Sequence, residues 1–459
     1  MANLWEFPWT NGNDTAISND DWYNDRLVNT LAGNDIISTS RIDEYSSIIN
    51  DGTIKMGAGN DSILIAGDYG GSIYNSGAIE MGAGNDSISA FGYDGIYNSG
   101  TISLGDGNDF ISSIGGAIPI FNASSTSKID MGAGNDTISA DGYDGINNSG
   151  TIDMGAGSDS LSASGGDIGI INTDSGTIDM GAGSDSLSAS GRGFATGLIN
   201  IGVINTGAGE DSIQGFGGYY GINNVGTIVM GAGNDKIYAS AGVEGIENYD
   251  GSIAMGAGND KIYGSAGESY GIFNYGTSLI DMGAGDDTIE GAGGDSGIFN
   301  LGTIATGAGN DKIYGSGIVG INNARGTIDM GAGDDFLAGT GGVGITGGII
   351  NAAEGNDQVE ASSLGANTSI DLGTGNDSLK LTGWLNDQDL QGQSTQANGG
   401  NGQDTLELPA DIGIGNYSIA SASGINGVTF TLNGTTLQVQ QFEVFNIGGT
   451  SYTFNQLPI

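Results

Sequence analysis

An aspartate returns along almost the whole of this chain at intervals of 20 to 27 residues: Asp35, Asp61, Asp86, Asp109, Asp136, Asp159, Asp185, Asp211, Asp235, Asp260, Asp287, Asp311, Asp335, Asp357, Asp377 and Asp404. Each closes a version of one phrase, Gly-x-Gly-x-Asp-x-(Ile/Leu/Val), read clearly at 57–63, 82–88, 132–138, 231–237 and 256–262, with degenerate copies at Asn13-Asp14 and Gln403-Asp404. A fixed period of this length means one structural unit per repeat, stacked so that each unit touches only its neighbours.

A second phrase recurs half a period away: Gly-Ile-Tyr-Asn-Ser-Gly-Thr-Ile at 95–102, Gly-Ile-Asn-Asn-Ser-Gly-Thr-Ile at 145–152 and Gly-Ile-Asn-Asn-Val-Gly-Thr-Ile at 221–228. Every unit thus holds three short β-favouring pieces, Gly-Ile-x-Asn, Thr-Ile-x-Met and Asp-Ser-Ile-x-Ala, punctuated by glycine and too short for helices. The predicted fold is all-β, a right-handed parallel β-helix of about fifteen coils of about 25 residues. Strands pair with their equivalents one coil away at about 4.8 Å, which gives a rod of roughly 70 Å. Alternation turns Ile152 and Met154 inward and Asp153 outward. The Asn before each second glycine (Asn98, Asn148, Asn172, Asn200, Asn224, Asn274, Asn300, Asn323) is expected to form an amide ladder at a coil corner. Thr101, Thr151, Thr227, Thr303 and Thr327 form a similar structural column.

Composition sharpens this. The chain has 54 acidic against 10 basic side chains, a formal charge of -44, with 90 Gly, no Cys and no His. Carboxylates at strand spacing repel strongly wherever water is partly excluded, so a compact fold needs cations. Nucleic acid is an unsuitable partner, because the few basic residues, such as Arg41, Arg192 and Arg325, are scattered. No apolar run approaches a membrane span. The N-terminal MANLWEFPWTNGND lacks the basic start and apolar core of a cleaved signal peptide.

The repeated Gly-x-Gly-x-Asp-x-Ile resembles the RTX, or haemolysin-type, calcium-binding repeat over about residues 13–404. Two departures are systematic: the family's first glycine is replaced by Met56, Met81, Met131, Met154, Met180, Leu104 or Thr206, and each coil carries one such turn where the family carries two. The resemblance implies calcium held between stacked turns, about one ion per gap, by the sixteen aspartates named above with backbone carbonyls of glycines such as Gly57, Gly59, Gly82, Gly84, Gly132, Gly134, Gly231, Gly233, Gly256 and Gly258. Calcium takes 6 to 8 oxygens in tolerant geometry, and glycine turns can aim carbonyls at it. The competing reading, aspartates that only cap their own turns, demands no such uniformity. Asp106 and Glu210 are candidates for an extra oxygen; Asp130, Asp153, Asp179, Asp281, Asp329 and Asp371 read as a solvated face.

The ends differ. Residues 1–30, with Trp5, Trp9 and Trp22, read as an aromatic cap or docking element; 31–404 as the calcium-binding repeats; 405–459 as a small β cap with an Asn433-Gly434 hairpin turn. That C-terminal position resembles the uncleaved region through which RTX proteins leave by type I secretion, which implies an extracellular protein. The function expected is a calcium-dependent structural rod of an extracellular layer, matrix or fibre, assembling end to end with itself, with cell-surface polysaccharide as a further partner. No enzyme is expected, although parallel β-helices host polysaccharide-acting enzymes. Such sites need a distinctive coil; the Tyr-bearing 92–95 and 142–145 segments are candidates for sugar contact, but such segments more often serve loop packing. An ice-binding or adhesion module is the third class; the position between the glycines is Ala58, Ala83, Ala133, Ala156, Ala182 and Ala232 where a threonine lattice would be needed, with Thr only at Thr374.

Overall fold

In the computed structural model of the protein, residues 2–18, 20–41, 46–67, 71–384 and 394–459 are described. The chain forms two compact units, 1–232 and 233–459. Each is a parallel β-solenoid, about fifteen turns in all, with no α-helix among the described residues.

One coil of the first unit shows how the sequence produces this. Ser87–Gly92 and Ile96–Asn98 lie in one sheet and Thr101–Asp106 in another. The first two segments merge into single strands in later coils, at Thr137–Asn148 and Ser160–Asn172. Every segment pairs in register with its equivalents: Ile88 sits between Ile63 and Ile111, Ile96 between Ile73 and Ile120, Ile102 between Ile79 and Ile129. All of these side chains are fully buried. Burying an Ile contributes about 1.5–3 kcal/mol, and a β-branched residue suits the pleat, so three isoleucine columns form the core. Met56, Met81, Leu104, Met131, Met154 and Met180 supply a fourth column at the end of the third segment, all fully buried. The residues that replace the RTX family's first glycine are therefore core side chains. Where that column changes to Thr206 or Thr306, the hydroxyl donates to the carbonyl of Met230 or Met330 at 2.7 Å, so the buried oxygen is satisfied.

At the turn after the second segment runs the asparagine ladder. In the first unit Nδ2 of each Asn donates to Oδ1 of the next, from Asn24 through Asn50, Asn75, Asn98, Asn122, Asn148, Asn172 and Asn200 to Asn224, at 2.7–2.9 Å. In the second unit the same ladder links Asn248, Asn274, Asn300 and Asn323. The spare amide hydrogen bonds a backbone carbonyl, as Asn122 does to Thr151 at 3.0 Å. The amide suits this stacking because it carries both donor and acceptor, so a copy above and a copy below are both partners.

Both ends fold onto the chain's own coils. Ala2–Asn3 pairs in parallel with Trp22–Tyr23, and the short turn Leu4–Glu6 buries Leu4 completely. The Arg26 guanidinium lies 4.2 Å from the Trp5 ring centroid, and Trp22 Nε1 donates to the Ser38 carbonyl at 3.0 Å. Toward the C-terminus the aspartate repeat stops at Asp404, yet parallel pairing continues: Thr405–Glu407 pairs with Ser378–Lys380 and then with Val444–Asn446. The antiparallel strands Ser418–Ser421, Val428–Leu432 and Thr435–Gln440 follow, the last two joined through Asn433 and Gly434, both at positive φ, as an Asn-Gly hairpin requires. Among the described residues no helix is long and apolar enough to cross a membrane.

The ladder makes a direct prediction. Asn148→Ala should cost about 1–3 kcal/mol, because it strands the buried amide of Asn122 and the Oδ1 of Asn172. Urea denaturation of both proteins measures this, and a loss within 0.5 kcal/mol would mean that the ladder is ornament to the isoleucine core.

Candidate metal centres

The third segment and the next first segment are joined by the turn that carries the aspartate, for example Gly82-Ala83-Gly84-Asn85-Asp86. Gly82 and Gly84 stand at φ +115° and +136°, a region closed to most L residues. Space forbids a side chain as well: a Cβ on Gly84 would lie 1.8 Å from the Gly59 carbonyl oxygen and one on Gly82 1.7 Å from that of Gly57. Both glycine carbonyls thus aim along the stack at the next turn. The turns are cross-linked by backbone bonds, with Gly59 N–H donating to the Ala83 carbonyl and Gly84 N–H to that of Asp106.

Two side-chain ladders run beside each other here. The outer one is exposed: Asn60 Oδ1 accepts from the Asn85 N–H at 2.9 Å, and Asn85 Oδ1 from the Asn108 N–H at 2.8 Å. The inner one is the aspartate column. Asp86 Oδ1 reaches back to the Asp61 N–H at 2.7 Å, Asp109 to Asp86, Asp136 to Asp109, Asp159 to Asp136 and Asp185 to Asp159. The second unit repeats it from Asp235 through Asp260, Asp287, Asp311, Asp335, Asp357 and Asp377 to Asp404. All sixteen predicted aspartates are at most 2% exposed.

The column has ends that the sequence did not announce. At the start, the Asp14 N–H donates to Asp35 Oδ1 at 2.8 Å, but the Asp14 carboxylate turns outward to the Thr10 hydroxyl. At the finish, the Asp404 N–H donates to Glu443 Oε2 at 2.9 Å, so a glutamate outside the repeat supplies the last carboxylate. No periodicity points to Glu443, which lies 39 residues beyond Asp404.

The two oxygens of each aspartate are not equivalent. Oδ1 accepts an N–H, whereas Oδ2 of Asp35, Asp61, Asp86, Asp109, Asp136, Asp159 and Asp185 in the first unit, and of Asp260, Asp287, Asp335, Asp357, Asp377 and Asp404 in the second, is buried without a hydrogen-bond partner. Taking a carboxylate out of water without compensation costs several kcal/mol. Burial therefore pushes the carboxyls up from 3.8, to about 7 at Asp86, Asp136, Asp287, Asp335 and Asp377 and to about 6 at Asp61, Asp185 and Asp357. Neighbouring aspartates push in the same direction at most of these sites, and the backbone N–H on Oδ1 offsets part of the rise.

An orphaned buried carboxylate oxygen, repeated coil after coil with glycine carbonyls aimed along the same axis, is an all-oxygen donor set that fits a hard cation such as calcium. Among the described residues no group of three or more acidic side chains converges on one point. The residues that would hold an ion are therefore the stacked aspartates through Oδ2, with turn carbonyls such as those of Gly57, Gly59, Gly82 and Gly84. Asp106 and Glu210 lie exposed on the outside of the turn, Glu210 in the outer asparagine column with its N–H on Ser184 Oγ. The charge of Asp106 helps to raise Asp109. On the outward face Lys128 bridges Asp130 and Asp153 at 2.8 and 3.1 Å, and Asn205 and Asn398 donate to Asp179 and Asp371.

These features define the molecule as a parallel β-solenoid with a buried aspartate column. No protein-family model matches the sequence, and no curated protein does. Among solved structures it is similar to a hyperactive, Ca2+-dependent, β-helical antifreeze protein from an Antarctic bacterium, at 16% identity over 97% of this chain and 94% of that one, with a TM-score of 0.31. At that level the likeness adds nothing to the geometry above.

The raised carboxyls fix a pH dependence. With divalent cations chelated, stability should rise as the pH falls from 8 to 5, since groups at about 6–7 in the fold and 3.8 unfolded take up protons in that window only when folded. Urea midpoints at pH 8, 6.5 and 5 test the sign; midpoints that fall on acidification would show that Oδ2 is already compensated.

Proposed function

We propose that this protein is an extracellular structural solenoid whose aspartate column is neutralised by calcium, the ion acting as part of the scaffold. The observation that carries this reading is the run of buried aspartates whose Oδ2 atoms have no partner. Such a column is tolerable in three states: protonated, unfolded or cation-bound. At neutral pH and in millimolar calcium the third is favoured, and weak all-oxygen sites fill in that range. A stoichiometry of about one ion per gap would offset most of the charge of -44. Folding would then follow export, in the manner of the RTX proteins that the repeat resembles, with residues 405–459 as the secretion region.

As a scaffold the chain offers repeats along nearly its full length and a regular sequence of exposed side chains on each face. Self-assembly is part of the proposal, but the aromatic start is engaged with its own first coils through Leu4 and Trp22. Contact between copies would use exposed faces of the coils or require that end to open.

Calcium titration of chelator-treated protein tests the ion. The melting temperature should climb with calcium, and calorimetry should count several ions per chain. The double substitution Asp136→Asn and Asp159→Asn should lower that count and the calcium-induced gain, while stabilising the chelated protein at pH 8 by removing two buried charges. A melting temperature indifferent to calcium would sink the reading. Light scattering in excess calcium examines self-assembly separately: a monomer at high concentration removes that part and leaves the ion.

A further inference from the structure

Aromatic residues on successive coils are stacked at some places in this protein and set at an angle at others, the second unit's Phe273 and Phe299 among the latter at 79° and 5.4 Å. In the second unit Tyr238 and Tyr263 stack with ring planes 9° apart at 4.9 Å, and Tyr249 and Tyr275 do so at 10° and 4.8 Å. Those rings lie face to face, as expected of side chains that serve the sheet. In the first unit Tyr74, Tyr97 and Phe121 also occupy one column on three consecutive coils. Here the rings do not stack: Tyr74 and Tyr97 are tilted by 42° at 6.2 Å, and Tyr97 meets Phe121 edge-on, at 85° and 5.3 Å. A cleft of about 230 Å³ opens among them, lined also by Asp94, Ala117 and Ile118. Tyr97 is 38% exposed within it.

A polar group is fixed at the edge of this cleft. Asp94 Oδ2 accepts the Tyr74 hydroxyl at 2.8 Å, which orients both side chains and leaves the exposed Asp94 its second oxygen as an acceptor. Asp94 belongs to the Gly92-Tyr-Asp-Gly95 segment that the repeat does not explain; beside the second copy of that segment the aromatic column has changed to Asn147 and then Ile171. The core requires none of these rings, since the column carries Ile49 before Tyr74 and Ile171 and Ile199 further on.

We infer that the Tyr74–Tyr97–Phe121 cleft binds an uncharged glycan. A pyranose ring offers an apolar C–H face to an aromatic surface and a rim of hydroxyls to a carboxylate, and the cleft presents both together. Three coils extend the strip over about 10 Å, enough for more than one linked ring. Charge selects the neutral class: the lining has one carboxylate and no Lys or Arg, on a chain of net charge -44. A uronate-rich or sulfated chain would meet repulsion there. This site is independent of the aspartate column, and its test is run in excess calcium with the fold checked by circular dichroism.

Affinity electrophoresis through gels containing neutral glucans, xylans, galactans and mannans, with polygalacturonate and alginate as anionic counterparts, measures binding directly. The protein should be retarded by at least one neutral polysaccharide and by neither anionic one. Tyr97→Ile, which places in the column the residue found there in other coils, should weaken retention at least about tenfold. Asp94→Ala should weaken it as well, and Tyr263→Ala in the stacked pair should leave it within about twofold. Retention by no neutral polysaccharide, retention by the anionic ones alone, or retention that survives Tyr97→Ile in a correctly folded protein would each overturn the assignment.

Discussion

In a parallel solenoid each side chain lies over its own equivalent one coil away, about 4.8 Å distant. That constraint sorts residues by whether they tolerate themselves as neighbours. Isoleucine does, because dispersion and burial ask only for shape, and Ile63, Ile88, Ile111 and Ile138 form an unbroken column. Asparagine does, because its amide is donor and acceptor at once. Aspartate does not: it has two acceptors, no donor and a charge. The backbone rescues one oxygen by turning the N–H of each aspartate toward the carboxylate of the next coil, as Asp61 does toward Asp86. The other oxygen stays buried and unpaired, and the repeat that builds the fold also multiplies this deficit.

The turn is arranged around the same deficit. Glycine at φ +136° in Gly84 lets two turns approach until no Cβ would fit, which draws the carbonyls of one turn against the next and seals the aspartates from water. Sealing raises the carboxyls toward neutrality, to about 7 at Asp86 and Asp136. On the proposal that calcium neutralises the column, a cation and a proton would compete for the same oxygens, so that calcium and pH would act on one physical variable, the charge of the column. On the outward face Asp130 and Asp153 are instead bridged by Lys128.

Much of this was legible from the amino-acid sequence because the contacts of a solenoid are almost all one period apart, so that the repeat length is itself the contact map. The inward Ile152 and Met154, the outward Asp153, the asparagine ladder and the Asn433-Gly434 hairpin all follow from periodicity and local residue preference. The parallel pairing that runs beyond Asp404 does not, because the phrase that marks a coil has gone while its hydrogen bonds continue. The N-terminal aromatics are readable as a cap or a docking element; the burial of Leu4 and the contact of Arg26 with Trp5 follow no period that the sequence displays.

The sequence by itself determined the coil, its strands and the stacking of the aspartates within each unit, since these depend on spacing alone. Only the tertiary structure decided what each aspartate oxygen meets, because a carboxylate's partners come from the coil next to it and depend on the path of the backbone through the turn. For the same reason Glu443 could close the column from outside the repeat and Asp94 could join Tyr74 across coils, as neither partnership joins equivalent positions of the repeat.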